Sequence, residues 1–132
     1  MKLIDVPAAH GPVTGKNFAA LSTIMPDGSP HTSIVWVHSD DKYLIFNTAE
    51  GRIKTKNIRR DARVSLAVWN LENPYNQAMI RGHVVEITHE GADAYIDKLA
   101  KKYLGVDKYP YGQPGEVRVL VKVEIDKIGM MG

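Results

Sequence analysis

Between Asn47 and Arg63 the chain gathers residue types suited to one kind of chemistry, the holding of an anion. Asn47 and Thr48 offer an amide and a hydroxyl, Gly51 permits close backbone approach, and Arg52 and Lys54 bring charge two residues apart. At a strand-to-helix junction such a set forms a cradle for a phosphate, because backbone N–H groups and charged side chains converge there. Arg52, Lys54, Lys56, Arg59 and Arg60 are accompanied by only two large apolar residues, Ile53 and Ile58. A helix buries a face through apolar positions three or four apart, and these two are five apart, so packing accounts poorly for the segment. A solvated basic connector is the plainer alternative, since charge runs are most often exposed faces.

Other chemistry is not encoded in recognisable form. His10, His31, His38, His83 and His89 lack the spacing of a zinc or iron site, and His89-Glu90 lacks the second histidine of a zincin. There is no G-x-S-x-G and no Walker loop, and no nucleophile is paired with a base. The absence of cysteine excludes disulfides and thiolate chemistry. An enzyme with this inventory needs a cofactor that carries the reaction, the protein supplying position and electrostatics. No metal is expected.

At 132 residues the chain is expected to be one domain, residues 1–132, large enough for a single core. Its apolar and charged fractions, 44% and 24%, are those of a soluble globular protein. A formal net charge of +2 is too small to argue for nucleic acid, and the basic cluster lacks interleaved aromatics for base stacking. Asp5 and Pro7 interrupt any signal-peptide core, and no apolar run approaches a membrane span, so a cytoplasmic location without membrane association is expected.

The elements that position the basic segment follow from pattern. Residues up to Gly15 hold Pro7, Gly11, Pro12 and Gly15, which favours loop over a long helix. Strands are expected over 17–25 and 31–37, joined by the Pro26-Asp27-Gly28-Ser29 turn, then over 43–46 and 63–69, flanking the basic segment. Residues 71–76 form a loop around Asn73-Pro74, and 78–88 a strand in which Gly82 marks a bulge or a close approach. Ala92, Ile96, Leu99 and Tyr103 make one stripe of an amphipathic helix that Gly105 stops. From Val117 to Ile125, apolar residues alternate with Arg118, Lys122 and Glu124, a one-sided strand. The second strand is apolar on both faces, Ile34 and Trp36 on one and Val35 and Val37 on the other; helices or a second subunit must cover one of them. Short turns and one late helix imply a small antiparallel barrel with helical cover.

The order of Asn17 to Thr23, Pro26 to Pro30, Thr32 to Trp36, Gly51 to Asn57 and Arg59 to Ser65, continued by Arg81-Gly82, Gly91-Ala92 and Tyr109-Pro110, resembles the split β-barrel flavin and deazaflavin oxidoreductases. This is the pyridoxamine 5′-phosphate oxidase-like superfamily, and the chain looks most like its F420-dependent reductase branch. The resemblance implies a mainly β (α+β) fold, a six-stranded antiparallel split β-barrel with flanking helices of the FMN-binding type, and a homodimer with two cofactor sites at its interface. By position, Arg52 and Lys54 would hold the cofactor phosphate, with Ile53 between them, Asn47 and Thr48 assisting and Asn57 at a further position of the motif. Thr32, Ser33, Ile34, Val35 and Trp36 would run beside the ring, while Asn73 and Tyr75 are candidates to reach over from the partner. The arginine and histidine that hold pyridoxal phosphate in the oxidase have no counterpart, so its reaction is not implied. The implied activity is hydride transfer between reduced F420 and a small or planar unsaturated molecule. An FMN-dependent oxidoreductase, or a flavin-binding protein with little turnover, is the alternative. The glutamate tail of F420 would favour a basic lane beyond the phosphate, for which Lys56, Arg59 and Arg60 are placed.

Overall fold

The computed structural model describes residues 1–131. Six strands close into an antiparallel barrel in the order β1-β2-β3-β6-β5-β4: β1 Phe18–Ile24, β2 Pro30–Ser39, β3 Leu44–Ala49, β4 Arg63–Trp69, β5 Gln77–Thr88 and β6 Arg118–Met131. Three α-helices flank it, α1 Pro7–Thr14, α2 Ile53–Arg60 and α3 Ala92–Leu104. Leu21, Val37, Phe46, Leu66, Ile80 and Val121 fill the interior with almost no exposure. Among the described residues no helix is long and apolar enough to cross a membrane.

Residues 1–15 depart from the expected loop. Pro7 presets the first turn of α1, and Ala9 and Val13, four apart, bury on the core while Pro12 and Gly11 sit in the same short helix. Composition argued against a long helix, and eight residues need only two core contacts and the Thr14 Oγ1 bond to the His10 carbonyl, 2.9 Å, to hold.

Pairing along β2 makes the split. Its first part pairs with β1, from Pro30↔Ile24 to Trp36↔Phe18, but β3 meets it only at Val37, His38 and Ser39. β3 turns instead to β6, pairing Leu44–Ala49 with Val123–Arg118. Between residues 30–36 of β2 and 47–49 of β3 no ladder forms, and the backbone edge of β2 faces a gap there.

Gly82 is both the bulge and the close approach that its place in β5 suggests. The ladder with β6 shifts between Arg81 and Gly82, and a Cβ there would overlap the Glu124 carbonyl.

Candidate functional site

The gap between β2 and β3 is a groove of about 150 Å³. Ile34, Val35 and Trp36 of β2 form one wall and Asn47 of β3 its floor. Arg52 and Lys54 stand at the start of α2, Arg118 at the start of β6, and Ile96, Leu99, Tyr109 and Tyr111 close the far side from α3 and the loop after it.

Charge in this groove is lopsided. Lys54 is partly buried and its Nζ donates to Ser33 Oγ at 3.2 Å. Burial, then the neighbouring Arg52 and Arg118 guanidinium groups, hold the Lys54 ammonium below its ordinary range. An anion placed among the three would relieve that repulsion. Gly51 takes φ +85°, turning the chain into α2, and the N-cap residue, Arg52, makes no side-chain cap bond. The start of the helix thus has no side-chain cap, and the dipole favours an anion there.

Alternation along β6 places Arg118 among its outward residues, yet it is only 8% exposed. It pairs with Ala49 across the ladder, which puts it directly under the β3–α2 turn. Its Nε donates to Asn47 Oδ1 at 2.9 Å, Nη1 pairs with Glu116, and its Cζ lies 5.2 Å from the Tyr109 ring centroid. Asn47 in turn donates to the Ala92 carbonyl at 2.8 Å, so α3, β3 and β6 are tied at one point.

An aromatic stack fixes the other wall. Trp36 lies parallel to Tyr103 with centroids 5.0 Å apart, and Tyr109 meets Trp36 edge-on at 6.0 Å. The Tyr103 hydroxyl, buried and pushed up to about 12 by desolvation, accepts from the Val37 N–H at 3.1 Å. The helical stripe Ile96, Leu99 and Tyr103 thus packs on Trp36, while Ile34, on the same side of β2, stays 59% exposed.

The structure brings together Ser33, Ile34, Val35, Trp36, Asn47, Arg52 and Lys54. It sends others elsewhere. Thr48 is fully buried and bonded to Thr55 Oγ1 at 3.2 Å, and Asn57 donates to Thr23 Oγ1 at 3.0 Å beneath α2. These polar contacts are what seats α2, whose Ile53 is half-exposed while Ile58 is buried. Thr32 faces outward with its hydroxyl 2.8 Å from that of Ser22. Asn73 and Tyr75 lie on the β4–β5 loop, where Asn73 accepts from the Tyr75 N–H, and neither lines the groove of its own chain.

Of the basic residues expected to continue the cradle as a lane, Arg59 and Arg60 are engaged within the chain. Arg59 forms a two-pronged pair with Glu50, which also meets His89 at 2.8 Å. Arg60 donates to the Ile24 carbonyl at 2.7 Å and to Asn57 Oδ1 at 2.8 Å, and Asp61 pairs with Arg63. Pairing with Arg59, and then with His89, holds the Glu50 carboxylate down to about 2.

A family model described as pyridoxamine 5′-phosphate oxidase matches residues 7–132. Among solved structures, the chain is similar to an F420 reductase, with 26% identity over 92% of this chain and 95% of that one and a TM-score of 0.80. It also resembles General Stress Protein 26 from Bacillus anthracis, at 18% identity over 94% and 91% of the two chains and a TM-score of 0.64. HupZ of Group A Streptococcus aligns at 20% identity over 93% and 94% with a TM-score of 0.65. The last two likenesses bear on fold alone. With its closed six-stranded barrel, split at β2 and β3, and the family model running over nearly its whole length, the chain belongs to the pyridoxamine 5′-phosphate oxidase family, within the superfamily of flavin and deazaflavin oxidoreductases.

Proposed function

We propose that the protein is an F420-dependent oxidoreductase that moves a hydride between reduced deazaflavin and a small or planar unsaturated molecule. The observation that carries this reading is the convergence of Arg52, Lys54 and Arg118 beside an aromatic-walled groove at the strand split. The donor set fits a planar cofactor with a phosphate-bearing side chain: cations and an uncapped helix start at one end, Ile34, Val35 and Trp36 along the other. F420 when bound supplies the hydride. The chain supplies position, with Arg52 and Lys54 holding the phosphate and the unpaired edge of β2 from Ser33 to Val35 offering backbone groups to the ring's polar rim. The likeness to an F420 reductase at 26% identity supports the choice of deazaflavin.

FMN is the second reading, favoured by one observation. Arg59 and Arg60 are engaged with Glu50, Ile24 and Asn57, which leaves Lys56 as the helix cation without such a contact among the described residues to meet a tail of carboxylates, and FMN ends at its phosphate. Fluorescence titration with each cofactor at two salt concentrations separates them. Tighter binding of F420 at low salt upholds the first reading; tighter binding of FMN at every salt concentration replaces it with the second.

The protein works, in this reading, as a cytoplasmic homodimer. A groove of about 150 Å³ is too small to enclose a tricyclic ring, since ligand pockets usually measure several hundred. The missing wall has a natural origin. Ile34, Ala20, Ala67, Met79 and Gly129 are direct cross-strand partners and form one row across five strands on the outer face of the barrel. The row is apolar, Ala20, Ala67 and Gly129 in it are small, and its two large residues, Ile34 and Met79, are 59% and 45% exposed. A second copy laid on it would reach the groove through Ile34. Light scattering on the cofactor-loaded protein tests this, a monomer at micromolar concentration counting against it.

A further inference from the structure

We propose that Arg118 is a third anion-binding residue of the groove, preorganised by Asn47, Glu116 and Tyr109 so that its remaining N–H groups meet the same anionic group as Arg52 and Lys54. The inference rests on the reading of the groove as the seat of a cofactor phosphate. A guanidinium has five donors in a fixed fork. Nε is spent on Asn47 and Nη1 on Glu116, while among the described residues Nη2 has no hydrogen-bond partner of its own, in a side chain lining the groove. Burying an arginine to 8% exposure beside a lysine and a second arginine is costly, and the single carboxylate of Glu116 offsets one of three charges. The excess of about two positive charges matches a phosphate, and an arginine clamped on three sides loses little freedom on receiving it.

The bland alternative makes Arg118 a tether that only fastens the 105–117 loop and β3 to β6. The two roles differ in ways that can be measured. Inorganic phosphate serves as the minimal probe, followed by thermal shift and isothermal titration on the full chain, with FMN and F420 titrated in parallel. Arg118→Met is expected to weaken phosphate and cofactor binding about tenfold or more and to flatten the salt dependence of the affinity. Arg118→Lys should recover part of the affinity. Glu116→Gln, which removes the carboxylate competing for the guanidinium, is expected to tighten phosphate binding two- to threefold. A tether predicts the reverse pattern: a lower melting temperature in Arg118→Met and Glu116→Gln, an unchanged salt dependence, and no tightening in Glu116→Gln. That pattern overturns the proposal, and if Arg118→Met does not fold, the sign of the Glu116→Gln effect decides alone. Should the Arg52→Ala/Lys54→Ala variant lose phosphate binding while Arg118→Met keeps it, only this inference falls. Should wild type bind neither phosphate nor either cofactor, the reading of the groove falls with it.

Discussion

At the scale of single residues the site is a matter of which cations are spent and which are held ready. Arg52 is exposed and Lys54 has one hydroxyl partner, so replacing either by alanine should cost cofactor binding about 1.5–3 kcal/mol, the usual worth of a charge-assisted hydrogen bond, with the melting temperature nearly unchanged. Arg59→Ala, by contrast, should loosen the Glu50–His89 cluster and leave affinity close to wild type. A different residue sets a pH limit. His38 is held down to about 4, chiefly by burial and then by Lys102, Lys98 and His10, whereas unfolded it titrates near 6.5. Between those values the unfolded chain binds more protons, so the stability that a neutral His38 contributes is present above about pH 6.5 and is lost as pH falls through about 4. Urea midpoints at pH 7 and pH 5 should therefore lie closer together in His38→Gln than in wild type, and equal spacing would show that His38 plays no part. Sequence exposed Arg52 and Lys54 through local spacing. It hid Arg118, since an alternating polar position on a strand looks solvent-facing until the pairing with Ala49 places it under the β3–α2 turn. Nor does spacing show that the hydrogen-bonding partners of Thr48 and Asn57, Thr55 and Thr23, lie inside the fold.

At the scale of elements, period was the readable signal. The two-residue alternation of β6, the stripe of α3 and the turn chemistry at Pro26 to Ser29 each have a local cause, and the corresponding elements form where that cause operates. The helices α1 and α2 have weak local causes and are settled by contacts distant in sequence, Ala9 and Val13 on the barrel core, Asn57 on Thr23. Two substitutions test this division. Tyr103→Phe keeps the ring on Trp36 but removes the hydroxyl at the Val37 N–H, and should cost about 1–3 kcal/mol of stability in denaturant titration. Gly82→Ala drives a methyl group into the Glu124 carbonyl and should cost roughly 2 kcal/mol or more. A neutral Gly82→Ala would mean that the bulge does not bring β5 and β6 as close as described.

At the scale of the whole molecule, the proposed reading has one barrel supply part of what a flavin-type ring needs, an anion seat, one aromatic wall and an open mouth, and a second copy the rest. The row from Ile34 to Met79 continues that mouth across the outer sheet, which is why assembly and binding are expected to fail together. Charges placed on its two large exposed residues, Ile34→Asp with Met79→Asp, should shift light-scattering mass to that of a monomer and abolish cofactor binding without unfolding the chain, as judged by circular dichroism. The most direct measurement of the central claim is the absorption spectrum of the protein after incubation with F420 and gel filtration, taken for wild type and for Arg52→Ala/Lys54→Ala side by side. Deazaflavin absorbance travelling with wild type and absent from the variant is the expected result. Equal retention by both, or by neither, would contradict the assignment of the groove between β2 and β3 as the cofactor site.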